Sequence, residues 1–518
     1  MQRLRSYLEG EWRDGAGDPA VLLNPSTEEP LAEIRAAGGL GEAVVYARER
    51  GGPALRALSF AERGQLLLGL SQLFHESRDE LIELALRNGG NTRQDAKFDI
   101  DGAIGALVHY AELGAELGSA RVLLDGEPDR IGRSPRLVGR HVMVPRTGVG
   151  VFVNAFNFPA WGFAEKAACA LLAGMPVITK PATATALVAH HMFERIAERR
   201  SLPEGSFQLL LGPVGDLFDH LDGQDVLAFT GSSGTGARLK GDPRIVARNV
   251  RVNLETDSLN AAVLGADAGP GSSTFELMVA DVVRDMTQKT GQKCTAIRRV
   301  LVPADRVEDV RAALCERLET VTTGNPAVEG VTMGPLATRE QLADVRAGLS
   351  TLRTEARTVF GGDGAVSALG VPAGTGFFIG PVLLECDGAG DAGSVHRLEV
   401  FGPVATLVPY DGTAAGAAAL VRRGDGGLVA SVYSDDRDAI AETITGLAPF
   451  HGRIFVGSEK IAEKSAGPGT VPPQLVHGGP GRAGAGEELG GLRGLALYLQ
   501  RVALQGDRSI LEAVAGRL

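Results

Sequence analysis

Cysteine is scarce and scattered, with four residues in 518, at Cys169, Cys294, Cys315 and Cys386, and no C-x-x-C pair among them. That spacing argues against a zinc knuckle or a disulfide framework and points to a reducing compartment, so no metal site is expected. An excess of cations is also missing. The formal net charge is −11, which excludes a general affinity for nucleic acid or for an anionic membrane. The longest mostly apolar run, "AACALLAGMPVI" (167–178), is too short to span a bilayer and contains Gly174 and Pro176. The opening "MQRLRSYLEGEWRDG" has no apolar h-region of the secretory kind. Neither an internal repeat nor a low-complexity linker is visible. The expectation is a cytoplasmic protein that neither crosses a membrane nor binds nucleic acid.

Glycine, by contrast, is abundant, at 70 residues, and several stand where a strand would hand over to a helix. Hydrophobic residues make up 44% of the chain, and its length suits roughly two to four domains with sizeable cores. "SFAE" (59–62) is a capping box ahead of a helix carrying Leu66, Leu67, Leu70 and Phe74. From Val149 the pattern alternates. "VGVFV" reads as a strand, "NAFNFP" as a loop, "AWGFAEKAACALLAG" as a helix that Gly174 can stop, and "PVITK" as a strand. A helix over "ALVAHHMFERIAERR" follows, then strands "FQLLL" and "DVLAFT" and the loop "GSSGTG". Such alternation predicts βαβ units on a parallel sheet, with ligands at the carboxyl ends of the strands. "RLVGRHVMVP" and "GLALYLQRVAL" read as further strands.

Five positions could carry chemistry. Cys294, in "MTQKTGQKCTAIRR" (286–299), falls on a loop after a helix, among Lys289, Lys293, Arg298 and Arg299. Cations and loop amides would favour a thiolate nucleophile there, and an ordinary half-buried cysteine is the even alternative. No Cys–His pairing is visible. Glu255 ends the strand of "NVRVNLETDSLN" and could serve as a general base or simply as a surface carboxylate. Asn157 could donate its amide to an oxyanion or merely make a turn. "TGSSGTG" is not the G-x-G-x-x-G fingerprint, although its amides could face a phosphate. Lys180 could reach a ribose or phosphate, or lie in solvent.

Taken in order, "FNFP", "KPA", "FTGS", the isolated Glu255, "GQKCTA" and "EVFGPV" (399–404) resemble the aldehyde dehydrogenase superfamily over essentially the whole chain. The resemblance implies an α/β fold with a Rossmann-like NAD(P)-binding domain (1–119 and 149–260) and an α/β catalytic domain (261–475). It also implies a small antiparallel bridging element (120–148 and 476–518) that joins a homodimer or dimer of dimers. It places the nucleophile at Cys294, the base at Glu255 and the oxyanion donor at Asn157, with Lys166 and Glu488 relaying protons. Lys180, Thr183, Gly231, Ser232, Gly236, Glu399 and Phe401 fall on cofactor positions. Phe156, Phe158 and Trp161, with Phe163, would line the aldehyde tunnel. Thr183 stands where NAD-preferring relatives often carry a carboxylate, so NADP is the expected cofactor, with NAD as the alternative. One departure is Glu255-Thr256-Asp257-Ser258, where many members have Glu-Leu-Gly-Gly.

Longer stretches such as "VNAFNFPAWGFAEK" and "LVHGGPGRAGAGEELGGLR" resemble one branch. It contains the dehydrogenase half of the bifunctional phenylacetate ring-opening protein and the dehydroadipyl-CoA semialdehyde dehydrogenase of benzoate oxidation. The implied substrate is an aldehyde on a CoA thioester, with basic residues at the tunnel mouth and a separate hydratase as the expected supplier. The alternatives are a general medium-chain aldehyde dehydrogenase, a CoA-acylating enzyme (disfavoured by Glu255) and a non-catalytic protein on the same fold.

Overall fold

The chain opens with strand Gln2–Leu4, part of a small sheet with Pro30–Ala36 and Ala16–Leu23, and strands Ser6–Leu8 and Glu11–Arg13 then form the antiparallel edge of a seven-stranded sheet. Its other five strands are parallel and lie in the order Arg251–Glu255, Val226–Thr230, Gly150–Val153, Val177–Lys180 and Phe207–Leu209. The computed structural model describes residues 1–388, 393–515 and 517. In sequence the chain leaves Gly150–Val153 for one side of the sheet and returns at Val226–Thr230 on the other. The order therefore reverses between these two neighbours, and the loops after Val153 and Thr230 flank the crevice that such a reversal opens.

Each strand–helix junction follows from local chemistry. Trp161–Ala173 is Ala-rich and buried at every position but Gly162, and it ends at Gly174 in the left-handed region (φ 87°). Phe60–Glu76 starts on the Ser59/Glu62 capping box and packs across Arg93–Leu117. A Cβ on Gly64 would come within 2.8 Å of Ala111 O, so the two helix backbones can approach this closely only with glycine at the crossing.

A second seven-stranded sheet runs Arg357–Phe360, Val382–Glu385, Val404–Tyr410, Arg299–Pro303, Ala261–Leu264, Gly427–Tyr433, His451–Gly457, and only its first pair is antiparallel. Cys294 precedes Arg299–Pro303, so it comes from the amino edge of this sheet. Asn157 and Glu255 come from the carboxyl ends of the first. Strands Leu123–Arg130, Leu137–Pro145 and Leu499–Asp507 form a separate antiparallel sheet. The stretch "GLALYLQRVAL" is only partly strand. A turn through Gly490 and Gly491 (φ 79° and 58°) starts the short helix Leu492–Leu495, and pairing begins at Leu499. No helix among the described residues is long and apolar enough to cross a membrane.

Candidate active site

Helix Ser273–Thr287 gives way to one tight turn in which Lys289 (φ 51°), Thr290 (54°) and Gly291 (68°) are all left-handed. Two of these are not glycine, so the surroundings must hold the strain. Arg298 holds it, donating to Gly291 O at 2.8 Å, Lys293 O at 3.2 Å and Gly402 O at 2.7 Å. A Cβ on Gly291 would sit 2.2 Å from Gly402 O, so this close approach admits only glycine. Asn260 Nδ2 donates to Cys294 O at 2.7 Å and Ala296 O at 3.0 Å, which fixes the backbone of the Cys294 loop.

The expected electropositive setting is not there. Lys293 donates to Asp285 at 2.7 Å and Gln288 at 2.8 Å, and Lys289 lies 3.9 Å from Asp99. Arg299 donates to the carbonyls of Leu259, Leu420 and Val421. Lys293, Arg298 and Arg299 thus place donors on carbonyls and carboxylates away from the sulfur, while Lys289 Nζ has no hydrogen-bond partner among the described residues and lies over the Phe158 ring at 4.5 Å. The partly buried thiol is surrounded by carboxylates instead. Burial, and next the charge of Glu255, push it well above the ordinary cysteine value, with Glu165 and Glu399 adding to the effect.

Glu255 closes its strand and is 3% exposed. Its Oε2 lies 3.3 Å from Nε2 of His477, and the same nitrogen is 3.8 Å from Cys294 Sγ. The sequence suggested no such neighbour, because His477 is 183 residues beyond the nucleophile and no spacing rule connects them. Burial alone would raise Glu255 and lower His477. Their attraction outweighs it, leaving the carboxyl below its usual range and the imidazole above its own. The imidazole's share of stability is complete below about pH 6.5 and is lost as pH rises through the raised folded value. The carboxylate's share is present above about pH 4.3 and is lost as pH falls through the depressed one. The donor atoms of Glu255, Cys294 and His477 lie within 4.8 Å of one another. A soft divalent cation would also accept that spacing, so a chelator belongs in every assay.

Behind Glu255, Lys166 Nζ lies 3.0 Å from Glu488 Oε2 and 3.2 Å from Glu165 Oε1. Asn253 Nδ2 donates to the other Glu488 oxygen at 3.1 Å. Burial pushes Glu165 up to about 7 against the pull of Lys166, while Glu488 and Glu165 hold Lys166 charged despite its own burial. Removing one partner of a buried pair strands the other, so Lys166→Met should cost about 3–5 kcal/mol in urea unfolding. A loss below about 1 kcal/mol would show that water reaches the cluster.

Two cavities meet at Cys294. A narrow one is walled by Phe98, Phe158, Trp161, Gly162, Glu165 and Val471, and it also touches Asn157, Glu255 and His477. Phe156 is not part of it. The chain bends at Phe156 and Asn157, and Phe156 stacks edge-on to Phe401 at 5.9 Å on the other side. Phe163 is also displaced, lying two residues round the helix from Trp161 and packing in the core against Phe74 and Phe207. Asn157 Nδ2 donates to Gln292 O at 3.0 Å, which orients the amide and leaves its second N–H for an oxyanion beside Cys294. Asn157→Ala should lower kcat by about 10²–10³-fold. A change below about threefold would remove it from that role.

The second cavity, of about 700 Å³, is lined by Ala182, Gly231, Ser232, Asp257, Glu399 and Phe401 among others. Ser232 caps helix Ser233–Lys240, and Gly236 leaves room that a Cβ would lose to Thr256 at 2.7 Å. Asp257 accepts from Ser233 N at 2.9 Å, so the departure from Glu-Leu-Gly-Gly sets a carboxylate on this helix start. Lys180 and Thr183 bracket Ala182 in sequence, and Lys180 Nζ donates to Pro181 O at 3.2 Å. A dinucleotide fits this wall. Glu399 Oε1 and Thr230 Oγ1, both in it, are buried without a hydrogen-bond partner among the described residues, and ribose or amide groups could supply one.

A thiol, a carboxylate and an amide donor where an apolar tunnel meets a dinucleotide cavity define an oxidoreductase working through a sulfur-bound intermediate. The chain belongs to the aldehyde dehydrogenase family, whose model matches residues 12–502. It is 45% identical over 479 residues to the 3,4-dehydroadipyl-CoA semialdehyde dehydrogenase of Aromatoleum evansii, covering 92% of this chain and 93% of that one. The crystal structure of Escherichia coli lactaldehyde dehydrogenase superposes with a TM-score of 0.84 at 26% identity, covering 97% of this chain and 99% of that one. The NAD+ complex of a Bacillus cereus aldehyde dehydrogenase shares the fold, with a TM-score of 0.84 at 23% identity and coverage of 98% and 97%. The enzyme is therefore an NAD(P)-dependent oxidoreductase acting on aldehydes.

Proposed function

We propose that the enzyme oxidises the aldehyde end of a CoA-linked semialdehyde, released by opening of an aromatic ring, to the carboxylic acid. The observation that carries this is the 45% identity to a CoA-semialdehyde dehydrogenase along nearly the whole chain. The tunnel supports it. Its aromatic walls suit an acyl chain, and a Cβ on Gly162 would meet nothing closer than 4.0 Å, so the wall is open there. The test is a substrate panel. Its kcat/KM should be at least about 10²-fold higher for the CoA-linked semialdehyde than for the free acid form, since remote binding energy is spent at the reacting carbon. Equal values would support a general aldehyde dehydrogenase.

Chemically, Cys294 Sγ adds to the aldehyde carbon, and the oxyanion is held by the Asn157 amide and the Cys294 N–H. Bound NAD(P) supplies the hydride acceptor. Loss of hydride from the carbon leaves a thioester on Cys294. Glu255 then takes a proton from water, which releases the acid, while Lys166 and Glu488 pass protons onward behind it. Ser232 would face the pyrophosphate, Glu399 the ribose hydroxyls and Phe401 the nicotinamide side. Thr183 brings no carboxylate against a 2′-phosphate and Lys180 adds positive charge, so NADP should give the higher kcat/KM. A clearly higher value for NAD would overturn that reading.

The sheets support a division into residues 1–119 with 149–260, residues 261–475, and a bridging element of 120–148 with 476–518. Strands Leu123–Arg130 and Leu499–Asp507 are the free edges of the three-stranded sheet, and Leu124, Leu137 and Val502 are exposed on it. The homodimer contact belongs there. Four unbridged thiols favour a reducing, cytoplasmic setting.

A further inference from the structure

Aldehyde oxidation at Cys294 needs a thiolate, yet the loop cations make their hydrogen bonds elsewhere, Arg298 and Arg453 act on the sulfur only through charge, and Glu255, Glu165 and Glu399 oppose its ionisation. Among the described residues, the cationic nitrogen that hydrogen-bond geometry places on Sγ is Nε2 of His477, at 3.8 Å. His477 sits on the short strand Val476–Gly478, opposite Glu488 in register, and is 4% exposed. The charged groups around it are Glu255 from the first sheet, Glu165 and Lys166 from helix Trp161–Ala173, Glu488 from its partner strand, and the Cys294 thiol. Apart from Lys166 and the thiol, all are carboxylates, which favour the charged imidazole against its burial.

We propose that His477 is a catalytic residue of the oxidation, its Nε2–H supplying the Cys294 thiolate with a counter-charge while Glu255 receives the thiol proton. In the resting site the thiol is neutral, and Nε2 stands 3.3 Å from Glu255 Oε2 and 3.8 Å from Sγ. On activation the S–H bond breaks and an O–H bond forms on Glu255. The Nε2–H then faces the thiolate, which needs no new proton and no large movement because the nitrogen is already within reach of sulfur. The thiolate attacks the aldehyde carbon, and hydride leaves to NAD(P). At the thioester stage Glu255 gives up the thiol-derived proton, so one proton per turnover goes to solvent. Ionised again, it can activate water. Hydrolysis adds one water to the thioester, giving the acid and restoring the neutral thiol. A site with three carboxylates near the sulfur and no such cation would strongly disfavour the thiolate.

The proposal rests on cysteine chemistry and not on the CoA-linked substrate, so its first readout uses no aldehyde and its kinetic readouts can use any aldehyde the enzyme oxidises. The pH dependence of Cys294 alkylation by iodoacetamide would be compared for the wild type, His477→Gln and His477→Phe, with chelator present and cofactor binding as the check on folding. Gln keeps a hydrogen bond without the charge, and Phe keeps the bulk alone. Both variants should move the thiol titration up by at least about one pH unit, which lowers alkylation at pH 7 at least about tenfold. Both should retain cofactor affinity and slow the first burst of NADPH in stopped flow. If either folded variant titrates and alkylates as the wild type does, with only KM for aldehyde altered, His477 is a wall of the tunnel and the proposal fails.

Discussion

Cys294→Ala is expected to abolish aldehyde oxidation, lowering kcat by roughly four orders of magnitude or more, since loss of a covalent nucleophile removes the whole thioester route. Cofactor affinity should survive. The dinucleotide cavity is built from the strand ends and helix start of the first sheet and from Glu399 and Phe401, while Cys294 is anchored separately through Asn260. Calorimetric titration with NADP alongside a 340 nm assay checks both halves. An Ala variant that keeps even a few per cent of turnover would move the nucleophile elsewhere. Loss of cofactor binding together with activity would mean that the loop had collapsed.

Glu255→Gln should separate the two halves of the reaction. Hydride transfer needs the thiolate and the oxyanion donors, whereas thioester hydrolysis also needs a base for water. Stopped flow should therefore show a burst approaching one NADPH per active site, followed by a steady state at least about 10²-fold slower than the wild type. Because Glu255 also receives the thiol proton in the scheme above, the burst itself should be slower than in the wild type while still outrunning turnover. A normal steady state would remove Glu255 from the role of base.

The parts of this site carried by local rules were legible in the sequence. The Ser59/Glu62 capping box, the Gly174 stop and the alternation from Gly150 to Glu255 depend on neighbours a few residues apart, and they appear where the patterns put them. Phe158 and Trp161 reach the tunnel because a loop residue and the first residue of a buried helix happen to share a side. Phe156 and Phe163 came out differently because the direction of a side chain depends on a rotation that composition does not reveal. The charge state around Cys294 was misread for a related reason. Lys289, Lys293, Arg298 and Arg299 are neighbours of the thiol in sequence, but Asp285, Asp99 and a set of backbone carbonyls claim them in space. His477 is the converse case, remote along the chain and brought to the sulfur by a two-stranded hairpin.

The most direct measurement of the central claim is the intact mass of Glu255→Gln quenched after a single turnover with a CoA-linked semialdehyde and NADP. The account predicts a gain equal to the aldehyde less two hydrogens, carried on the peptide that contains Cys294, in proportion to the NADPH formed. NADPH formed in full with no adduct, or with the adduct on another residue, would contradict it.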